Sequence, residues 1–512
     1  MKASSSPFLI VLLAASFFWS CDSGTKESTY LQDRERLVQK DRDQRFDADI
    51  ELSEDEAELN RKLNHLRLQM TAEYDSIGYF PPAEPFRDVK SHMESTILFR
   101  LLRKMPKGGI LHLHNGASLD FRWVVDKAIS SSNCYVYWQQ DDANYTLGQM
   151  HFFAEGAEPA GFISAKKLSK ENTQFRSDLL DLLIFKDEPV LDSLDQWVEF
   201  EKIFKRVHGF VSYKPIFKEF HRAMFDSLIA DGIQHAEMRR IFRGSLYDLD
   251  HDAESGYYNA DSTAMLVQEA VQETQNLYPD FSYTSIYTFL RFMPRSAVLD
   301  ELIKAYELRK KYPDFIRGFD LVAEEENGHT TLYFLDVWNK IDSLNKVYGV
   351  DMPLYLHDGE STWASIQNLY DATLLNSRRI GHGFNLMHFP SLVTEIREKD
   401  ICLEVNPLSN QLLGYVQDLR LHPASLMLKH GVQCVISSDD PAIFDYNGLS
   451  YDFWSIVLAW ELDLKALKKL SKNSLEYSTL PTDQKEKALV AWEQKWNAFV
   501  QYGNEYLDEN SK

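Results

Sequence analysis

From Gly109 onward the chain alternates between short apolar runs and longer stretches of helical periodicity. The runs lie at 110–111, 233–238, 283–290, 316–322, 354–356, 379–380, 401–405 and 434–436. Most are rich in β-branched or aromatic residues, and each leads into a polar or glycine-containing segment. Helical patterns such as 263–275 and 295–311 fill the gaps. Regular strand–helix alternation implies parallel strands with buried crossovers. A closed (β/α)8 barrel needs eight such strands, and the pattern supplies them. The prediction is an α/β fold, a TIM barrel with additions.

Those additions break the rhythm. Leu59, Leu63, Leu66 and Met70 recur at helical spacing, predicting an amphipathic helix over 54–75. Its apolar stripe must be covered by the barrel's flank or by a second copy of the chain. Residues 22–53 are polar and charged and read as a tether or loosely ordered arm. Residues 133–190, with Tyr135, Tyr137 and Trp138 and little periodicity, read as an insertion after the first strand. From 449 the chain is helical: Phe453, Ile456, Val457 and Trp460 share one face, and 491–506 forms the last helix.

At the start, Met1-Lys2 carries a positive charge and 8–19 is an apolar run too short to cross a bilayer, as in a signal peptide. Cys21 after Ser20 resembles a bacterial lipoprotein signal, with Phe18 where a small aliphatic residue is usual. The expectation is export, with Cys21 as the lipidated N-terminus of a membrane-anchored protein, or plain secretion after cleavage near Ser20. The predicted organisation is a signal over 1–21, a tether and helical extension over 22–95, and a barrel domain over 96–512 containing the insertion.

Composition narrows the partners. The 512 residues are 44% hydrophobic and 13% aromatic, enough for a large core. A net charge of −22 repels phosphate backbones, and no basic stripe offsets it, so nucleic acid is excluded and a neutral small molecule fits. Beyond Cys21 only Cys134, Cys402 and Cys434 remain, without CxxC spacing, so neither a disulfide framework nor a cysteine zinc site is indicated.

The chemistry concentrates where predicted strands end, the face on which barrel active sites open. His112 and His114 flank Leu113, and on a strand both imidazoles point to one side. His357 opens His-Asp-Gly-Glu, so Gly359 can turn Glu360 back toward the mouth. His382 sits between glycines, and Asp439-Asp440 follows the run at 434–436. Singly, each motif has an ordinary reading: polar strand residues, surface groups, a tight turn, a helix N-cap with an extra charge. Together, three histidines and an aspartate make an N3O set suited to Zn2+ with room for water.

The segments 105–114 (MPKGGILHLH), 357–360 (HDGE), 379–383 (RIGHG), 406–410 (NPLSN) and 437–442 (SSDDPA) resemble, in order, the motifs of the adenosine deaminase family. Its secreted, growth-factor-like branch is closer still, through QWVEFE (196–201), GFDLV (318–322), DLRLHP (418–423) and GLSYDF (448–453). The resemblance spans about 85–500 and implies one Zn2+ per chain held by His112, His114, His357 and Asp439. It further implies that His382 orients and deprotonates the attacking water, Glu360 protonates N1 of adenine and Asp440 hydrogen-bonds N7. Adenosine, and 2′-deoxyadenosine with it, would become inosine-type products and ammonia. Trp197 and Glu199 match ribose-end positions, against an ordinary reading as a core aromatic and a helix-surface acid. The N-terminal extension would form a homodimer interface, and membrane contact would be confined to the lipid anchor.

Four departures alter the pocket rather than the metal set. Asp358 stands where the family has alanine, adding a charge near the metal. Ala323 replaces a glycine whose N–H serves the purine, Asn115 replaces an aspartate, and Met293-Pro294-Arg295 stands where a substrate-contacting histidine occurs. Two other readings share these residues: a deaminase or amidohydrolase acting on another aminopurine or related C–N bond, and a surface-anchored binding or signalling protein with decayed activity. The second would lack a ligand or the acid, and none is missing.

Overall fold

The computed structural model describes residues 26–186, 193–243, 246–250 and 258–510. The signal segment and Cys21 lie outside them. The first four strands are β1 (Gly108–His114), β2 (Cys134–Tyr137), β3 (Met150–Phe152) and β4 (Phe162–Ser164). Then come β5 (Ile233–Arg240), β6 (Ser282–Leu290), β7 (Ile316–Val322) and β8 (His357–Asp358), followed by β9 (Arg379–His382), β10 (Cys402–Val405) and β11 (Cys434–Ile436).

Parallel pairing runs β1-β5-β6-β7 and, separately, β8-β9-β10-β11. Two parallel bridges, Phe319 with Leu354 and Leu113 with Asp439, join the two sets into a closed eight-stranded barrel. At the second seam Asp439 N–H donates to the His112 carbonyl at 3.1 Å, and His114 N–H donates to the Asp439 carbonyl at 3.2 Å. The run at 354–356 contributes its bridge at Leu354, and the regular ladder of β8 begins only at His357.

The insertion has a small sheet of its own. β2 pairs antiparallel with both β3 and β4. Cys134 and Val136 face the main core, while Tyr135 and Tyr137 pack with Phe162 on the other face. That is period-2 alternation, too short to read from sequence.

At the N-terminus, helix Glu54–Ile77 starts at a capping box between Ser53 and Glu56 and ends at Gly78, φ 65°. Its stripe of Leu59, Leu63, Met70 and Tyr74 is buried. The cover is the chain's own C-terminal helix, Thr482–Asn510. A Cβ on Gly503 would lie 2.9 Å from Leu59 Cδ1, so the glycine allows this approach. Glu56 is buried there, accepting from Lys468 Nζ and Trp496 Nε1, each at 2.6 Å.

The loosely ordered arm is corrected by helix Lys26–Gln44, within a separate compact unit ending at Gln44. Its Glu, Lys, Arg and Gln residues are good helix formers, and Arg36–Asp33 at 3.2 Å and Gln39–Asp43 at 2.7 Å link successive turns. Charge alone suggested disorder because no apolar stripe marks this helix. No described helix is long and apolar enough to cross a membrane.

Candidate active site

The C-terminal strand ends open onto a cavity of about 510 Å3. His114 lines it from β1, His357 from the start of β8, His382 from the end of β9 and Asp439 from beyond β11, while His112, also on β1, is fully buried and does not line it. One ligand atom from each of His112, His114, His357 and Asp439 lies within 4.8 Å of the others. His112 Nε2 and His114 Nε2 stand 3.2 and 3.1 Å from Asp439 Oδ1.

Local sequence makes the approach possible. A Cβ on Gly381 would come within 2.9 Å of His112 Cε1, so only glycine leaves room for that imidazole. His382 and Asp439 hold φ of 66° and 62°, unusual for residues with side chains. Such backbone persists where the surrounding fold enforces it, commonly at functional sites.

Behind the imidazoles lies a chain of buried charges. His112 Nδ1 meets Glu404 Oε2 at 2.8 Å, and His357 Nδ1 meets Asp320 Oδ2 at 2.7 Å. Arg239 donates to Asp320 at 2.8 Å and also to Glu404. Arg379 donates to Glu404 and to Glu237, both at 2.6 Å. Such partners fix imidazole tautomer and orientation. With Nδ1–H directed to Asp320, the Nε2 lone pair of His357 faces His114 Nε2 at 3.3 Å. Burial lowers the pKa values of His114 and His357, favouring neutral rings with available lone pairs. Lone pairs converging on a carboxylate fit a cation, and His112 Nε2 has no hydrogen-bond partner among the described residues. By its donor set the cluster could hold a metal ion.

The other carboxyls divide the work. Burial would raise Asp439, yet the imidazoles of His112 and His114 beside it hold it well below the usual range. Burial, then the Asp439 charge, pushes Asp440 well up; burial, Asp439 and Glu325 do the same to Glu360. Glu360 Oε1 and Asp440 Oδ1 are buried without hydrogen-bond partners among the described residues, and both residues line the cavity. His382 Nδ1 lies 3.5 Å from Glu360 Oε1. Burial takes its pKa down to about 3, only partly opposed by Asp439.

The helix Ser193–Val211 turns Trp197, Phe200, Glu201 and Phe204 to the cavity, spaced three and four apart. Glu199 does not line it. Two residues along a helix is more than half a turn, so Glu199 pairs instead with Lys202 on the helix surface. The acid that this helix presents to the cavity is Glu201 rather than Glu199. Asn115 and Ala323 line the cavity, and Asn115 Oδ1 accepts from Arg240. Ala323 has φ 89°, a backbone that suits glycine. None of Met293, Pro294 and Arg295 is at the wall, where Phe292 stands instead. Asp358 is turned away from the metal cluster, accepting from Thr331 Oγ1 at 2.6 Å and facing Arg291 at 3.4 Å.

Comparison with known proteins agrees with this architecture. The sequence profile of the family described as adenosine deaminase matches residues 181–492. Adenosine deaminase 2 of Dictyostelium discoideum is 33% identical over 490 residues, covering 94% of this chain and 89% of that protein. The chain belongs to the adenosine deaminase family. Adenosine deaminase 2 of Homo sapiens is 30% identical over 511 residues, covering 96% of each chain. Among solved structures, adenine deaminase from Arthrobacter aurescens superposes with a TM-score of 0.55 at 19% identity, covering 78% of this chain and 99% of that one. A zinc-bound amidohydrolase from Burkhoderia ambifaria gives 0.53 at 16% identity, over 80% and 95%. At such identities these two structures speak for the fold.

As in any member of the adenosine deaminase family, the reaction class is hydrolysis of a C–N bond. Sequence reasoning did not single out Asp320, Glu404, Arg239 or Glu325. The signal was present at Glu404, a lone carboxylate inside the apolar run at 401–405.

Proposed function

We propose that the protein deaminates adenosine, and 2′-deoxyadenosine with it, using one zinc ion held by His112, His114, His357 and Asp439. The observation that carries this reading is the convergence of that N3O cluster with two unpartnered carboxyl oxygens, of Glu360 and Asp440, in one cavity. Zinc bound there would lower the pKa of a coordinated water from 15.7 to about 7. His382, whose ring is neutral, would orient the attacking water and accept its proton. Glu360, kept protonated by its surroundings, gives its proton to N1, so that C6 becomes electrophilic. Asp440 hydrogen-bonds N7. Trp197 and Phe200 exclude water from the nucleoside side, with Asn115 at the polar wall.

The test is loss of adenosine, 2′-deoxyadenosine, adenine and AMP by zinc-loaded protein, followed by absorbance with and without chelator. Chelator-sensitive conversion of the two nucleosides supports the proposal. Zinc retained with all four compounds intact would sink it. It would then favour a second reading, another aminopurine, for which Ala323 is the observation: its Cβ narrows the cavity at a glycine-like φ.

Export belongs to the same proposal and rests on the apolar run at 8–19, with Cys21 as a lipid-anchored N-terminus or cleavage near Ser20. A homodimer through the N-terminal extension would draw on helix Lys26–Gln44, where Tyr30, Leu31 and Leu37 are exposed.

A further inference from the structure

The general acid of the proposed reaction sits on a very short loop after β8, and that loop is gripped residue by residue. The grip comes from the ends of the neighbouring strands β6 and β7. Arg291, just past β6, donates to the carbonyl of His357 and faces Asp358 Oδ1 at 3.4 Å. Its stem passes over Gly328, where a Cβ would lie 2.6 Å from Arg291 Cγ and Cδ. Just past β7, Glu325 accepts from the Gly359 N–H at 2.9 Å with Oε1 and from the Glu360 N–H at 2.6 Å with Oε2. Asn368 Nδ2 adds a third donor to Oε1 at 2.7 Å. Glu326 Oε1 accepts from Ser361 Oγ at 2.6 Å.

Glu325 is only 3% exposed. A buried carboxylate is costly unless its oxygens are satisfied, and here the donors that satisfy it include the backbone of the acid itself. Gly359 has φ 83°, and a Cβ there would stand 2.8 Å from Leu369 Cγ, so the loop has little freedom to reach this shape differently. The carboxylate thus fixes two successive peptide planes, and with them the direction in which the Glu360 side chain leaves the backbone. Bonds that fix geometry matter for rate because small misplacements of a catalytic group are expensive.

We propose that Glu325 is a positioning residue of the reaction: by binding the backbone N–H groups of Gly359 and Glu360 it holds the general acid in the cavity. This rests on the deaminase reading given above. Glu325→Gln keeps size and one acceptor but turns an amide NH2 toward an N–H that needs an acceptor. Glu324→Gln removes a neighbouring charge outside the grip and serves as the control.

The experiment uses zinc-loaded full chain and measures hydrogen exchange of the 357–361 amides, zinc content, kcat and KM for adenosine. For Glu325→Gln the expected result is faster exchange confined to 357–361 and zinc retained. With it goes a kcat lowered tenfold or more at a KM within twofold of the parent. Glu324→Gln, which also removes a charge near Glu360 but no bond to the loop, should leave exchange, zinc content and KM unchanged and kcat lowered by less than in Glu325→Gln. Unchanged exchange in Glu325→Gln overturns the proposal, and so does faster exchange with unchanged kcat. Exchange rising throughout the chain, with zinc lost, would show a merely structural role and also overturn it. If the parent protein turns over no nucleoside, the deaminase reading fails by itself, and the exchange data still show whether Glu325 holds the loop.

Discussion

At the scale of single residues, the site is a division of labour among groups that water would make alike. Glu360 and Asp439 are both carboxylic acids, yet Asp439 faces imidazoles and Glu360 faces two other carboxylates. The surroundings of Asp439 favour its ionised form, as a cation ligand needs, and those of Glu360 favour its protonated form, as the proposed acid needs. Glu360→Gln is expected to retain zinc and lower kcat by roughly 10²–10⁴, read by metal analysis beside steady-state rates. His112→Ala should lose the metal; full occupancy in that variant would refute the ligand set. Ala323→Gly removes a Cβ from both a strained φ and the cavity wall. It should raise Tm slightly, relieving strain of about 1 kcal/mol, and lower KM for adenosine. A raised KM would show that the methyl group contacts substrate favourably. That His112, His114, His357, Glu360 and Asp439 come together was legible because histidines and paired carboxylates at strand ends are rare. That Glu199 does not line the cavity was not legible, because the six-residue segment 196–201 does not reveal which helix face points inward.

At the scale of elements, legibility followed length. The runs at 233–238, 283–290 and 316–322 are long enough to specify β5, β6 and β7. The strand at 379–382 and the two-residue ladder of β8 are defined mainly by their neighbours' hydrogen bonds. The partners of the ligands were hidden for a related reason. Glu404, Arg239 and Asp320 lie inside strands whose neighbours are apolar, and only barrel closure brings them together. Glu404→Gln should weaken zinc retention by about 10–100-fold, measured as transfer to a chelator, while the fold survives. The N-terminal helix tests packing instead. Leu59 is fully buried against Gly503, so Leu59→Ala should cost roughly 2–5 kcal/mol. The readout is a lowered denaturation midpoint, with zinc stoichiometry unchanged in the folded protein.

At the scale of the whole molecule, buried charge sets how the protein answers to pH. Burial opposes ionisation of Glu237, but Arg379 and His235 outweigh it and take the carboxyl from 4.5 down to about 2. Its contribution to stability is therefore complete above 4.5 and fades as pH falls toward 2. Denaturation midpoints across that window should fall for the parent more steeply than for Glu237→Gln. Turnover has the opposite sense. In the proposed reaction Glu360 must carry its proton, and burial and its carboxylate neighbours raise its pKa, so kcat should fall as pH rises through that raised value. A kcat that rose through the alkaline range would contradict the acid role. The seam between β1 and the end of β11 carries a different kind of consequence. His112, His114 and Asp439 take part in the backbone bonds that close the barrel. The proposed ligands are thus spread from the first strand through β8 to the residue beyond the last strand to leave the ribosome. A nascent chain holds three of the four until the final strand docks, so complete coordination would follow the most non-local step of folding. Zinc would act there as a latch on a finished barrel rather than as a seed for an unfinished one.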